Sequence, residues 1–367
     1  MRSRTEKKPD SIDSHRTQID RLNQEILKLL SQRAFHASEI GRIKHSAGAT
    51  AYLPAREREV IEKMIAANEG PLTSEQVARI YTEIISACRA LEHVVRVAYL
   101  GPEHTYSHDA ARNSFGSSVE FAPQASFGAV FNEVQNGRAD FGVVPIENST
   151  EGPVLPTFDL LIDTSLVIIS EVLLAVRHML MSRKGEAASV QRIVSHQQSL
   201  GQCRDYLATN FAHCELEAVA SNALAAQRAS QDPSIAAIAG RAAAEAYGLK
   251  IIAENIQDVA QNTTRFLVIG KRPVSKSGRD KTTILFAVPD KVGALNTVLN
   301  LFAKSKINIS KIESRPLRGR SWEYVFFLDL EGHRDDPRVK RALAALENRT
   351  LFLKVLGSYP EARPAGD

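Results

Sequence analysis

Residues 94–107 read Val-Val-Arg-Val-Ala-Tyr-Leu-Gly-Pro-Glu-His-Thr-Tyr-Ser, and the chain changes character there. A run rich in β-branched residues ends at Gly101-Pro102, the pattern of a strand closed by a turn. Everything before Val94 repeats with a different period. Ile19, Leu22, Ile26, Leu29, Arg33, His36, Ile40 and Ile43 step by three and four, which is one face of a long helix. A second helix is expected from about Arg56 to Ala67, ended by Gly70-Pro71. Thr73 or Ser74 can cap a third, with a stripe of Val77, Ile80, Ile84, Ile85, Cys88 and Leu91. An all-helical unit of residues 10–93 thus meets a new domain at Val94.

Downstream, apolar runs at Phe141–Pro145, Leu166–Ile169 and Ile251–Ala253 alternate with Ala-rich stretches expected as helices, Ala223–Ala229 and Ala236–Tyr247. That alternation indicates an α/β domain over residues 94–272. Pro273 to Lys281 is polar, with Ser and Gly, and reads as a linker. Beyond it, Thr282–Val288, Ala294–Ser305, Asn308–Ser314, Glu323–Leu330, Pro337–Leu346 and Leu351–Leu356 spell strand, helix, strand, strand, helix, strand, a ferredoxin-like α+β unit within residues 281–360. Three domains suit 367 residues, a length beyond which a single core stops growing.

Bulk properties exclude several functions. The 46 basic and 42 acidic residues are mixed without a basic stripe, so nucleic acid is not an expected partner. Met1 to Asp20 is polar and lacks the apolar segment of a signal peptide. Leu160 to Val176 is interrupted by Asp163 and Glu171 and is too short to span a bilayer. A cytoplasmic location and no membrane contact are expected. Cys88, Cys203 and Cys214 lack metal or disulfide spacing, so no metal is expected.

Charges interrupt the helical stripe. Arg33 stands where an apolar residue belongs, and Lys44 lies on nearly the same face roughly 16 Å further along. Isolated cations of this kind usually snorkel to water. Arg16 is about 25 Å from Arg33 by helical rise, too far to share one small ligand on a straight helix. Glu92 follows Cys88 by one turn, in line with the buried stripe. Together these residues resemble the all-helical chorismate mutases, intertwined dimers of three-helix chains, over roughly Ser14 to His93. The resemblance implies that Arg16 of a second copy binds one carboxylate of chorismate and that Arg33 and Arg56 hold carboxylates. It implies that Lys44 and Glu92 meet the ether oxygen and Glu57 the ring hydroxyl. Leu53 and Cys88 depart from the family, which has an acid and a Ser there in some members. A Claisen rearrangement fits such a set, since it needs a compressed conformer and stabilised charge but no nucleophile or cofactor.

In the middle domain three polar segments follow apolar runs: Gly101 to Ser107, Pro145 to Gly152 and Asn262 to Phe266. Singly each is a turn. In this order they resemble prephenate dehydratase over nearly all of Val94 to Arg272, a fold of two α/β lobes similar to type II periplasmic binding proteins. Ser195-His196-Gln197-Gln198 adds to the match, although the family usually has Pro at Gln197 and Gly at His104. The resemblance implies a cleft lined by Thr105, Ser107, Glu147, Asn148, Ser149, Gln198, Thr264, Arg265 and Phe266. Thr264 would serve the leaving hydroxyl of prephenate, and Asn148 and Gln198 would orient the substrate. Arg265 would hold a carboxylate or the cleft's architecture, and Glu147 would be the acid if burial raised its pKa. No cofactor is implied.

The last domain carries Gly293-Ala294-Leu295 at its first strand-to-helix turn, Asn308 at the start of its second strand and Glu313-Ser314-Arg315-Pro316 after that strand. These resemble the ACT domain appended to prephenate dehydratases, which binds L-phenylalanine between subunits. The whole is similar to enzymes with both activities and feedback inhibition, acting as a homodimer or homotetramer. Alternatives left open are a dehydratase with a degenerate mutase domain, arogenate as substrate, and a sensor without catalysis.

Overall fold

The computed structural model describes residues 11–46, 52–316 and 324–362. Residue 10 and Glu323, named above as first residues of a domain and a strand, lie outside them. Three helices come first: α1 (Ile12–Ser46), α2 (Pro54–Ala66) and α3 (Ser74–Ala90). Pro54 opens α2, where its missing N–H costs nothing. Thr73 caps α3: its hydroxyl accepts from the Gln76 amide at 3.2 Å, and the Gln76 side chain accepts from the Thr73 amide at 2.9 Å. The periodic face of α1 is not buried within the chain. Ile19, Leu22, Ile26, Leu29, Ile40 and Ile43 are each more than half exposed. On α3, Val77, Ile85 and Cys88 are buried as expected, but Leu91 is exposed and Ser86 and Arg89 are buried instead. The helix packs against α2, against α1 and against the next domain.

That domain has two lobes. The first holds β1 (Arg96–Leu100), α4 (Tyr106–Phe115), β2 (Glu120–Gln124), α5 (Phe127–Gln135), β3 (Phe141–Asn148), β4 (Gly152–Pro153), α6 (Leu155–Asp163) and β5 (Val167–Ala175). The second holds β6 (Met179–Ser182), β7 (Arg192–His196), α7 (Gln197–Gln202), α8 (Arg204–Asn210), β8 (Glu215–Val219), α9 (Asn222–Gln231), β9 (Ile235–Ala239), α10 (Arg241–Tyr247) and β10 (Lys250–Ala253). The chain then returns to the first lobe as β11 (Thr263–Gly270). The sheets run β2-β1-β3-β11-β5, with β4 on β3, and β10-β6-β9-β7-β8. The two crossings lie side by side, Val176 donating to the Asn262 carbonyl at 2.7 Å and Ile256 to that of His178 at 3.0 Å. One expectation fails here: Ala236–Tyr247 is not one helix. Residues 235–239 form a fully buried central strand, and the helix starts after Gly240. Ala favours helix locally, but a short apolar run buried on both faces is stable as a strand.

The last unit comprises β12 (Asp280–Ala287), α11 (Ala294–Lys304), β13 (Ile309–Pro316), β14 (Tyr324–Glu331), α12 (Pro337–Glu347) and β15 (Phe352–Pro360), in a sheet ordered β13-β14-β12-β15. The expected linker is not a free tether. Val274 packs against the first lobe's core, Ser277 bonds Asp280, and Lys281 is buried. One apolar core runs from Ala98, Val144 and Leu161 of the first lobe into Leu285, Phe327 and Leu356. At the contact of β15 with β5 a Cβ on Gly357 would stand 2.1 Å from the Ile168 carbonyl oxygen, so only glycine permits this approach.

Candidate active site

β11 pairs Thr264 with Asn148 and Arg265 with Glu147, but Phe266 with Pro145, so Ile146 is an extra residue on β3. Such a bulge re-aims the side chains beyond it. Asn148 is buried and donates its amide to Thr264 Oγ1 at 2.8 Å and to Asn262 Oδ1 at 2.7 Å. Its own Oδ1 accepts from the Thr150 and Glu151 amides at 2.9 and 3.0 Å, which fixes the orientation of the amide group. Asn262 in turn donates to Gln202 Oε1 at 3.0 Å, and Gln202 donates to the Glu151 carboxylate at 3.2 Å. Gln202, on α7, belongs to the second lobe, so the chain of amides ties the lobes together beside Thr264.

Thr264 Oγ1 is an acceptor in this chain. Its hydroxyl hydrogen therefore remains available to a molecule in the cleft. Thr264 was legible from the motif; Asn262 lay inside a quoted motif without a role, and Gln202 and Glu151 were given none. Gln198, chosen from the sequence, is exposed one turn earlier on α7 and outside the chain. Ser195 at the end of β7 is fully buried, donating to the Ile238 carbonyl at 2.7 Å, and Asn222 accepts from the His196 amide at 3.1 Å.

The two departures in these loops have local explanations. His104 sits at φ +64°, the left-handed region that favours glycine, and its amide donates to His108 Nδ1 at 3.1 Å. Gln197 is the first residue of α7, the helical position that suits proline best. Thr105 precedes α4 but spends its hydroxyl on the Pro102 carbonyl at 3.0 Å, leaving the first amides of α4 without a side-chain cap. Ser107, in the first turn of α4, is buried. Ser149 staples the loop, donating to the Gln261 carbonyl at 3.2 Å and accepting from the Thr263 amide at 2.9 Å.

The neighbours of Thr264 and Asn148 in sequence face the other way. Arg265 donates to Glu171 at 2.7 Å, to Asp329 at 2.6 Å and to the Tyr359 hydroxyl at 3.0 Å, occupying all three guanidinium nitrogens. Lys281 adds a contact to Glu171 at 2.9 Å, and Thr283 one to Asp329 at 2.6 Å. Two cations thus meet two carboxylates in a buried, balanced group between the first lobe and the last domain, an arrangement in which removing one partner strands a charge. Of the two readings of Arg265, carboxylate binding or architecture, the geometry supports architecture. Glu147 is ion-paired with Lys311 of β13, has Arg265 at 3.8 Å and is only partly buried, so the burial on which its role as the acid was conditional is incomplete. Phe266 is a core residue beside Val97, Tyr99 and Phe115, not a cleft residue.

In the helical domain Arg33, Cys88 and Glu92 lie along the seam of α1 and α3. Arg33 reaches the Ile84 carbonyl at 3.4 Å. The Glu92 side chain lies directly over Gly41, where a Cβ would come within 2.4 Å of it. Lys44 is on α1 one turn beyond Gly41, and its side chain lies outside the described residues. Cys88 is buried on α3. Arg16 is at the far end of α1, exposed beside Asp13 at 3.4 Å, and Arg56 is exposed beside Glu59 at 2.6 Å. Glu57 is held at 2.6 Å by Arg89, whose guanidinium also donates to the Phe115 carbonyl at 2.5 Å and lies over the Tyr52 ring. Sequence reading missed Arg89, which joins the helices to the middle domain and competes with any substrate for Glu57.

In the last domain the register pairs both Ala287 and Arg315 with Val325, so the turn at Gly293 and the strand end at Glu313 to Pro316 share one end of the sheet. Gly293 has φ +79° and is exposed just before Ala294 and Leu295 begin α11. Arg315 is taken by Asp159 of α6 at 2.8 Å, and Asn308 by Glu331 at 2.7 Å, so neither points freely at a ligand. Ser314 and Pro316 are exposed on the sheet's edge strand.

Family models match in three consecutive segments: chorismate mutase type II over residues 15–93, prephenate dehydratase over 97–274 and ACT domain over 282–348. A bifunctional chorismate mutase/prephenate dehydratase from Aquifex aeolicus is 45% identical over 96% of this chain and 99% of its own length. A prephenate dehydratase from Arthrobacter aurescens, solved in complex with L-Phe, superposes with a TM-score of 0.68 at 34% identity, covering 74% of this chain and 92% of that one. A structure described as a novel type of quorum quenching acylase superposes with a TM-score of 0.67 at 30% identity, covering 73% of this chain and 98% of that one.

Proposed function

The chain belongs to the family of bifunctional chorismate mutase/prephenate dehydratases, and on that premise we propose how its residues divide the work. The enzyme rearranges chorismate to prephenate and converts prephenate to phenylpyruvate, water and carbon dioxide, on the way to phenylalanine, which inhibits it.

In the dehydratase, the carbon–carbon bond to the ring carboxylate breaks and its electron pair enters the ring. The opposite carbon–oxygen bond breaks, and the departing hydroxide takes a proton to become water. Thr264 donates a hydrogen bond to that oxygen as negative charge builds on it, the kind of interaction that lowers the barrier. The observation carrying this role is that Thr264 Oγ1 accepts from Asn148, leaving its hydrogen for the substrate. The uncapped first turn of α4, beside Thr105 and Ser107, offers amides to a carboxylate. Arg265 and Glu147 act from behind, holding β11 and β3.

In the mutase, Arg33 and Glu92 line one seam with Cys88, and Lys44 and Arg56 are assigned to the same substrate. Arg16 comes from a second copy whose helices cover the exposed face of α1; each such side chain gains about 1.5–3 kcal/mol on full burial. Glu57 is assigned to the joint with Arg89. The chain therefore works as a dimer at least. Its cysteines are free thiols, which suits a reducing compartment such as the cytoplasm. An acylase reading is not favoured, since Thr264 is held by an amide, which cannot take its proton as a nucleophile's base must.

The test is to give purified protein chorismate and follow prephenate and then phenylpyruvate. Thr264→Val should cut the dehydratase by roughly 10²–10³ while the mutase survives. Loss of both activities in folded protein would refute separate sites.

A further inference from the structure

The chain of amides beside Thr264 does not end at Gln202. Its orientation can be followed bond by bond. The Glu151 carboxylate only accepts, so the Gln202 nitrogen faces it and Gln202 Oε1 faces the other way. That oxygen accepts from Asn262 at 3.0 Å and lies 2.8 Å from Nε2 of His178. His178 is in the crossing between the lobes, in no motif, and is 1% exposed. For Gln202 Oε1 to accept from it, Nε2 must carry the proton. On its other side Nδ1 is 3.0 Å from the Tyr106 hydroxyl of α4. Burial holds the pKa of His178 below the ordinary value, so the ring is neutral; with its proton on Nε2, the Nδ1 lone pair faces the Tyr106 hydroxyl, whose one hydrogen is shared with the Arg177 carbonyl at 2.9 Å. The His178 amide is itself pinned to Gln257 at 3.0 Å.

We infer that His178 is a positioning residue of the dehydratase: in the Nε2–H form it holds the Gln202 carbonyl toward Asn262, and so keeps the second lobe in register with Asn148 and Thr264 of the first. The inference rests on the reading that Thr264 serves the leaving hydroxyl, and it goes beyond it by naming what sets the second lobe's end of the chain. Without a donor at Nε2 the Gln202 amide can rotate, placing its NH₂ against that of Asn262. The donor–donor clash then loosens the lobe contact, while Asn148 stays fixed by its two backbone amides. The cost should fall on the rate more than on substrate binding.

The experiment uses the full chain and measures dehydratase kcat and KM together with mutase rate in the same samples. His178→Asn places an amide near Nδ1 and leaves Gln202 without its donor; kcat should fall roughly tenfold with KM within about twofold, the scale for unpairing one buried polar group. His178→Gln carries an amide nitrogen to where Nε2 stands and should keep kcat within about threefold of wild type. The mutase rate should not change in either. Equal losses in the two variants would mean the ring acts by bulk alone, and an unchanged kcat in His178→Asn would mean it has no role; either overturns the inference. If Thr264→Val were fully active, the reading of the cleft would fail, a separate outcome. Should His178→Asn not fold, nitrogen-15 spectra of labelled wild-type histidines decide: a neutral Nε2–H form supports the inference, and an Nδ1–H or doubly protonated ring overturns it.

Discussion

The helical domain and the two-lobed domain both have to fix a small dicarboxylate, yet in the reading proposed above they differ in how much of the site one chain supplies. In the two-lobed domain Thr264, Asn148, Asn262 and Gln202 are bonded to one another, and the strands that carry them are anchored from behind. In the helical domain three of the candidate cations, Arg16, Arg33 and Lys44, are strung along α1, with Arg16 and Arg33 seventeen positions and roughly 25 Å apart, and the apolar face beside them is open. A site that closes within a chain can be damaged only in that chain. A site assembled from two chains can be repaired by mixing them.

Mixing gives the largest predicted effect. Arg16→Ala and Lys44→Ala should each lower mutase activity by roughly 10²–10³, since each removes a group that stabilises charge in the transition state. When the two inactive proteins are unfolded together and reassembled, half of the dimers pair unlike chains, and one site in each is intact. About a quarter of wild-type mutase activity should return. The dehydratase pair Thr264→Val and Asn148→Ala should recover nothing. Recovery there, or none in the mutase pair, would break the comparison.

The next effect concerns the anchoring. Gly357→Ala forces a methyl against the Ile168 carbonyl, where backbone cannot yield cheaply. A loss of about 1–3 kcal/mol is expected, the range for overpacking, seen as a lower unfolding midpoint for the dehydratase and last domain together. For the same reason, deleting the last domain is a poor test of regulation, because it exposes half of a shared core and unpairs Arg265.

A cleaner probe of regulation is Lys311→Met. Lys311 is on β13, the strand that carries Glu313 to Pro316, and it grips Glu147 next to Asn148. Half-buried, the pair lies between an effector candidate and a catalytic one. Dehydratase activity should stay within about threefold of wild type, while the phenylalanine concentration for half inhibition rises several-fold, a coupling loss of about 1 kcal/mol. An unchanged response would show that the effector signal does not pass through this contact.

The sequence made the three units and their order legible because each has its own period: 3.6 before Val94, mixed runs to Arg272, and alternating strands and helices after Lys281. Thr264 and Asn148 were legible because a short polar motif follows an apolar run. What the sequence concealed shares a cause. Strand alternation turns Glu147 to the face opposite Asn148, and no local pattern says which of the two faces the cleft. Arg89 and Lys281 look like surface charges, yet they are buried because their partners, Glu57 and Glu171, are 32 and 110 residues distant. Gln202 and His178 are isolated polar residues in unremarkable context, and only the meeting of two lobes gives them partners.

The last comparison tests whether the two halves also differ in how their acids respond to pH. Asp109 of α4 lies where the lobes meet, 3.7 Å from where a Cβ on Gly240 would be. Burial pushes its carboxyl up to about 6, with Arg112 opposing and Glu245 adding to the rise. Its folded pKa is above the unfolded one, so its contribution is fully present below about pH 4 and is lost as pH rises through about 6. Asp109→Asn removes that loss. At pH 8 the variant should be more stable by on the order of 1–2 kcal/mol, and the difference should vanish near pH 4. Glu59 of α2 is the counterexample: Lys63 and Arg56 hold it down to about 2, but at the surface. Its contribution would be lost only in acid and is screened by salt, so Glu59→Gln should barely move the unfolding midpoint at neutral pH. Midpoints of both variants across pH 4 to 8 decide the matter. A pH-independent gain in Asp109→Asn would mean the acid is solvated and the lobes do not close over it.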